Sequence, residues 1–336
     1  MRGPTPPLSV QVADPSYGPG LDPTESETAE VATDVEGAAW RPLDPEPRPA
    51  GELVFVDGVQ QVEAWITAMD AGDPEPIAGF AVAIGAGAVA AGPGRPAEIT
   101  ELSVRRLVLT VGDRRLRLPP VGGFSWEPQV TPAREVTGMA RRVGQLRQQT
   151  EHELAERHAG PGRLVVLDGR LSFVRDAAGP IVGAIKSHHR MYLPPAEASV
   201  VGALRVGQRT PLFAIGTDRL SWYQRLPGSG EEGWAGILRG ELPRSLGVAQ
   251  ARRLADRAAA ELPRFAGRPH RDPRAPQNLA PVAALEDRLR HRLGDRRLAL
   301  RAVRRAAAGA TLEAAPGSAA LAPLRAPVEP ADPVAA

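Results

Sequence analysis

Cysteine is missing from the chain, which removes disulfides and thiolate metal sites and leaves the redox compartment unspecified. Lysine is nearly missing too: Lys186 is the only one, and arginine carries the rest of the basic charge. A coding bias toward Arg, Ala, Gly and Pro accounts for most of that imbalance, but not for the one lysine that stays. An ammonium is a compact point charge and a guanidinium a planar fork, so a site that needs the first does not readily accept the second. Lys186 gains a functional lean on that ground. Apolar runs of membrane-spanning length are also lacking. The uncharged stretch from Ile77 to Gly92 is shorter than the about 20 residues a spanning helix needs, and is mostly Ala and Gly. No apolar stretch follows Arg2, so a secretory leader is not expected and a cytoplasmic location is. Neither a G-x-x-x-x-G-K-[ST] loop nor a G-x-S-x-G elbow occurs, which leaves ATPase and α/β-hydrolase readings without a motif.

Charge is unevenly spread over the 336 residues, although the net value is only +2. Residues 1–50 are rich in Pro and acids, with Arg2, Arg41 and Arg48 as their only bases, and the composition from Ala306 onward falls to Ala, Pro, Gly and Leu. Neither end buries enough apolar surface to offset the entropy of ordering. The expected organisation is a disordered acidic, Pro-rich arm over 1–50, one folded domain over 51–305 and a disordered Ala/Pro-rich tail over 306–336. With the acids gathered in the arm, the body is more basic than the total implies, which favours an anionic partner.

Hydrophobic periodicity sets the order of elements. Leu53 to Asp57 reads as a buried strand, with a tight turn at Gly58 and an antiparallel strand from Val59 to Met69. Phe80–Val89 and Glu101–Val111 extend this into a meander. Val136, Met139, Val143, Leu146 and Leu154 mark one stripe of a long helix within Pro132–His158. Strands are expected at Arg163–Leu167, Leu171–Val174, Ile181–Lys186, Leu212–Ile215, Leu220–Leu226 and Trp234–Leu242. Helices are expected at Gly247–Glu261, Leu279–Arg292 and Arg296–Arg305. The order favours an α/β fold with a mixed sheet flanked by helices.

The chemistry centres on a repeated design. Leu53-Val-Phe-Val-Asp57-Gly58 and Leu164-Val-Val-Leu-Asp168-Gly169 each run apolar residues into Asp-Gly. Hard divalent ions such as Mg²⁺ and Mn²⁺ prefer carboxylate oxygens, and acids at the ends of neighbouring strands can hold them for phosphodiester cleavage. Asp-Gly also simply makes turns, so the weight lies on the matched pair rather than on either alone. Glu286 or Asp287, on a late helix, is a candidate third acid. Glu63 could join the cluster if its strand folds back but reads rather as a solvated strand residue, and Glu151 and Glu153 read as surface charges. Lys186, His188 and Arg190 follow a strand and suit phosphate contact; the two adjacent histidines would face opposite ways and not chelate one ion. Trp222, Tyr223 and Arg225 suit stacking on single-stranded bases, with core packing as the alternative. The arginines from Arg288 to Arg305 read either as a phosphate-binding face or as a solvated one. Gly85, Gly87 and Ala90 match a dinucleotide fingerprint, but Pro93 and Pro96 fall where its helix must run, and the match reads as accidental.

Taken in order, Phe55-Val-Asp57-Gly58-Val, Val166-Leu-Asp168-Gly169-Arg-Leu171, Val182-Gly-Ala-Ile-Lys186-Ser, Leu220-Ser-Trp-Tyr-Gln-Arg-Leu226 and Ile237-Leu-Arg-Gly-Glu241-Leu-Pro243 resemble the NurA family of DNA-end-processing nucleases over about residues 51 to 305. The resemblance implies a ribonuclease-H-like core, Mn²⁺-dependent (or Mg²⁺-dependent) nuclease activity with 5′-to-3′ polarity, a homodimer, and a HerA-type hexameric ATPase as partner in double-strand break repair. Asp57 and Asp168 carry over as metal ligands, Lys186 as part of the basic wall, and Glu241 as a further match. Where the family often has a small hydroxyl residue after Asp-Gly, this chain has Val59. A non-catalytic protein of the same fold, binding DNA ends or an ATPase, is the alternative, and a nucleotide-cofactor enzyme a third.

Overall fold

In the computed structural model the described residues are 8–13, 30–46, 51–70, 75–133, 135–171, 179–186, 192–228, 236–268 and 276–314. One mixed sheet of eleven strands organises them. Its middle is a long antiparallel meander of β3 (Glu52–Met69), β4 (Ile77–Ala91) and β5 (Glu98–Val111). Short β6 (Arg114–Arg117) follows, and β7 (Glu127–Thr131) pairs in parallel with β5. After helix α1 (Val136–His158) the chain returns as β8 (Arg163–Asp168), parallel to the first part of β3, and β9 (Ile181–Ile185) lies parallel to β8. Helix α2 (Pro195–Gly202) leads to antiparallel β10 (Phe213–Ile215), β11 (Arg219–Arg225) and β12 (Ile237–Pro243), and β12 closes on β9. Helices α3 (Val248–Glu261), α4 (Ala280–Leu293) and α5 (Arg296–Ala307) complete the body.

Side-chain alternation along the strands divides the core into layers. Val54, Val56, Val165 and Leu167 face α1, through Leu154 and Ala155. Leu53, Phe55, Leu164 and Val166 face the opposite way, onto Ala251, Ala255, Ala258 and Val282 of α3 and α4. Farther along, Val59 and Ala83 pack on Leu285, Leu289 and Leu293 of α4, and Ala64 and Ile66 on Leu300 and Val303 of α5. The sheet is thus sandwiched between α1 and the three late helices.

Several expectations are corrected. No turn occurs at Gly58: β3 runs unbroken through Asp57-Gly58 for 18 residues, because β4 accompanies it along that length. The presumed arm contributes two strands. β1 (Ser9–Ala13) pairs with Trp65–Met69 of β3, and β2 (Val31–Ala32) pairs with β10. A buried ion pair holds the second of these segments, with Glu36 accepting from Arg209 at 2.8 and 2.9 Å and from the Leu212 amide at 2.6 Å. At the other end α5 runs on to Ala307, and β13 (Thr311–Ala314) pairs with β6 inside the presumed tail. Residues 1–7, 14–29, 47–50 and 315–336 of the two ends lie outside the described residues, as do most of the expected strand at Leu171–Val174 and the start of the one at Trp234. Gly85 and Gly87 lie inside β4, and no helix begins there. A Cβ on Gly87 would come within 2.8 Å of the Leu285 side chain, so the glycine lets α4 pack close to the sheet. Among the described residues no helix is long and apolar enough to cross a membrane.

Candidate functional site

Asp57 and Asp168 lie side by side. The parallel ladder of β3 and β8 ends with Val56 opposite Leu167, and each Asp is the next residue on its strand. Adjacent strands run about 4.8 Å apart, so the two carboxylates start from neighbouring points on the same face, the one covered by α4. Here the sheet opens. β8 ends at Asp168 and Gly169 turns away with φ +113°, a conformation that favours glycine. On this edge β3 is paired by β8 up to Val56 and by β1 from Trp65, and no strand among the described residues pairs with the stretch between. A crevice beyond the carboxyl ends of parallel strands is where α/β sheets place ligands.

Two more acids close on the pair. Glu151 comes from α1 on the far face and is buried. It reaches the cluster over Gly58, where any Cβ would collide with its carboxylate. Arg147, one turn earlier on α1, pairs with Glu151 and also donates to the Gly58 carbonyl at 3.4 Å. Glu286 comes from α4, lies near enough to Asp168 to disfavour its charge, and pairs with Arg290 at 2.7 Å. Asp287, the alternative third acid, is exposed, so α4 presents Glu286 to the pair.

Lys186 supplies the counter-charge. Its Nζ stands 2.6 Å from Asp168 Oδ2 and 2.6 Å from the Asn278 Oδ1 acceptor. Asn278 is fully buried just ahead of α4.

Burial and crowding of like charge shift these groups. Burial pushes the Asp57 carboxyl well above the ordinary carboxylate range; Asp168 and Glu151 push it further, and Lys186 offsets part. Asp168 is also raised, first by burial, with Lys186 opposing and Glu286 adding. Glu151 is pushed up to about 7, mainly by burial, against the pull of Arg147. Four carboxylates facing three cations, Lys186, Arg147 and Arg290, form a net acidic, partly desolvated cluster, and such clusters concentrate at functional sites.

The donor set suits a hard divalent ion. Among the described residues no three acid or imidazole groups converge into a finished cage. Mg²⁺-type ions nevertheless take one or two carboxylates and fill the remaining positions with water and substrate phosphate oxygens, which the Asp57–Asp168 pair can accommodate.

Other candidates lie elsewhere. Glu63 is buried rather than solvated; because β3 does not fold back, it sits six residues beyond Asp57, about 20 Å along the strand. It accepts from Arg106 at 2.8 Å and Trp126 at 3.0 Å. Trp222 and Tyr223 are fully buried and cannot stack on bases: β11 is an interior strand, with Trp222 in the α3-facing core and Tyr223 against Phe213. Arg225 is 5% exposed and donates to the Leu204 carbonyl at 2.5 Å, a structural role. Glu241 is buried, with Arg239 at 2.6 Å and the Leu171 amide at 3.3 Å. His188 and Arg190 lie outside the described residues.

Sequence reasoning missed Glu151 and Asn278. Glu151 had a signal: it lies one residue past Thr150 on the buried stripe and four before Ala155, a place where a solvated acid is out of pattern. Asn278 had none.

No protein-family model matches the chain, and no curated protein matches it. Among solved structures, that of the NurA nuclease from Sulfolobus solfataricus is 11% identical, with a TM-score of 0.42 over 75% of this chain and 83% of that one. A NurA structure with manganese is 18% identical, with a TM-score of 0.19 over 41% of this chain and 24% of that one. A NurA structure bound to dAMP and manganese is 19% identical, with a TM-score of 0.18 over the same shares.

Proposed function

We propose that this chain is a divalent-metal-dependent nuclease that hydrolyses phosphodiester bonds in DNA. The observation that carries the reading is the pairing of Asp57 and Asp168 on adjacent parallel strands, joined from opposite faces of the sheet by Glu151 and Glu286.

Asp57 and Asp168, with Glu286 as third acid, would hold Mn²⁺ or Mg²⁺, which when bound polarises the phosphate and lowers the pKa of a bound water. Glu151, with its carboxyl pushed up to about 7, is suited to take the proton of an attacking water at neutral pH. Lys186 offers an ammonium beside Asp168 to a non-bridging phosphate oxygen, and Arg147 adds a second positive charge against what develops in the transition state. Water is partly excluded, so these charges act with more force than at an open surface.

The finer features of the proposal rest on the order of sequence motifs that resembles the NurA family. They are a ribonuclease-H-like core, 5′-to-3′ polarity, a homodimer, a HerA-type ATPase partner and a role in double-strand break repair.

Cleavage of 5′-labelled single- and double-stranded DNA with Mn²⁺ tests the reading. The wild type is expected to cut, EDTA to stop it, and Asp57→Ala and Asp168→Ala to be inactive. Binding that survives EDTA, with no cutting even when a HerA-type ATPase is added, would establish a non-catalytic binder instead.

A further inference from the structure

We infer that Asn278 is a positioning residue that fixes where the Lys186 ammonium stands. The inference rests on the nuclease reading for its consequence, and on geometry for itself.

A lysine side chain carries four rotatable bonds and the rotamer entropy that goes with them, so one exposed carboxylate contact leaves its ammonium free to swing. Lys186 has two acceptors, Asp168 Oδ2 and Asn278 Oδ1, each at 2.6 Å. Asn278 is fully buried, so the second acceptor cannot follow the lysine if it moves. Two fixed acceptors confine the ammonium to one place and aim its remaining N–H away from both.

The type of acceptor matters. The site already holds four carboxylates, and burial with mutual repulsion raises Asp57, Asp168 and Glu151. An amide oxygen takes a hydrogen bond from the ammonium without adding a fifth negative charge and without drawing Lys186 off Asp168. Asn278 lies two residues ahead of α4, the helix that also brings Glu286 to Asp168. One short stretch of chain therefore carries both an acid and the anchor of the counter-charge.

Because Lys186 is the only lysine, protein made with ¹³C,¹⁵N-lysine shows a single side-chain signal. In metal-free wild type its terminal methylene is expected to be ordered on the ps–ns timescale; order should be lost in Asn278→Ala and kept in Asn278→Asp, where a carboxylate still anchors the ammonium although it draws it toward position 278. A lysine as ordered in Asn278→Ala as in wild type overturns the inference.

Kinetics supply the second arm. Asn278→Ala is expected to lower kcat for DNA about 10- to 100-fold with KM unchanged. In a Lys186→Met background the same change is expected to cost no more than about two-fold, since it acts through the lysine. Equal losses in both backgrounds would make Asn278 merely structural and overturn the inference. A wild type that cuts no DNA would sink the nuclease reading alone, because the lysine-order measurement decides on Asn278 without any turnover.

Discussion

Glu151 occupies the space that a side chain at position 58 would need. Gly58 is therefore demanded by close approach within a continuous strand and not by a turn. Gly58→Ala is expected to push Glu151 off the cluster and lower cleavage about 100-fold, a loss typical of a misplaced catalytic group. Melting temperature should fall by only a few degrees, because β-structure tolerates Ala. Cleavage rates and thermal melts of the same preparation check both halves.

Neutralising either aspartate should stabilise the metal-free protein, Asp57 by more than Asp168. Asp57→Asn removes a buried charge that two other acids repel, so the metal-free protein is expected to become more stable by about 1 kcal/mol. Asp168→Asn also removes a charge that burial disfavours, but it strips Lys186 of its ion partner, so its gain in stability is expected to be the smaller of the two. Both variants should lose cleavage. Urea melts with and without Mn²⁺ would show this crossing of stability and activity.

The raised Glu151 carboxyl sets a pH dependence whose sign can be worked out. Unfolded, it releases its proton near 4.5; folded, it keeps the proton to about 7. Between those values the folded state binds more protons, so its stability falls as pH rises through that window and is greatest below it. The full span is about 3 kcal/mol at one pKa unit per 1.36 kcal/mol. Glu151→Gln is expected to flatten this part of the metal-free profile and to be more stable than wild type at pH 8. Parallel curves for the two proteins from pH 5 to 8 would refute it.

Glu36 makes a prediction away from the site. It and Asp256 are the carboxylates that neutralise Arg209, which is 1% exposed. Glu36→Ala leaves that guanidinium half-compensated and is expected to cost about 3 kcal/mol. Cleavage at a permissive temperature should be unchanged. Denaturant titration alongside an activity assay separates the two.

The architecture was legible where periodicity was strong. The β3–β5 meander, apart from the expected break of β3 at Gly58, follows from apolar spacing, as do α1, β8 and the three late helices, since each buries one face or two. β1 and β2 were not legible because they are short pieces within Pro- and acid-rich sequence, held by pairing with distant strands and by the Glu36–Arg209 pair. At the site, the aspartates were visible through their repeated context. Glu286 could have been preferred to Asp287, since it shares a ridge with Val282, Leu289 and Leu293, all buried. Trp222 and Tyr223 show the opposite failure, because an aromatic strand reads alike whether it faces solvent or core. Asn278 becomes meaningful only once Lys186 is seen beside it.

The cluster draws its acids from both faces of the sheet, Glu151 through α1 and Glu286 through α4. Opening either helix takes it apart while the strands that carry Asp57 and Asp168 remain paired. The working fraction of molecules is thus capped by whichever of two local unfolding equilibria is the more favourable, and amide exchange in α1 and α4, rather than the global melting point, is the quantity that tracks it.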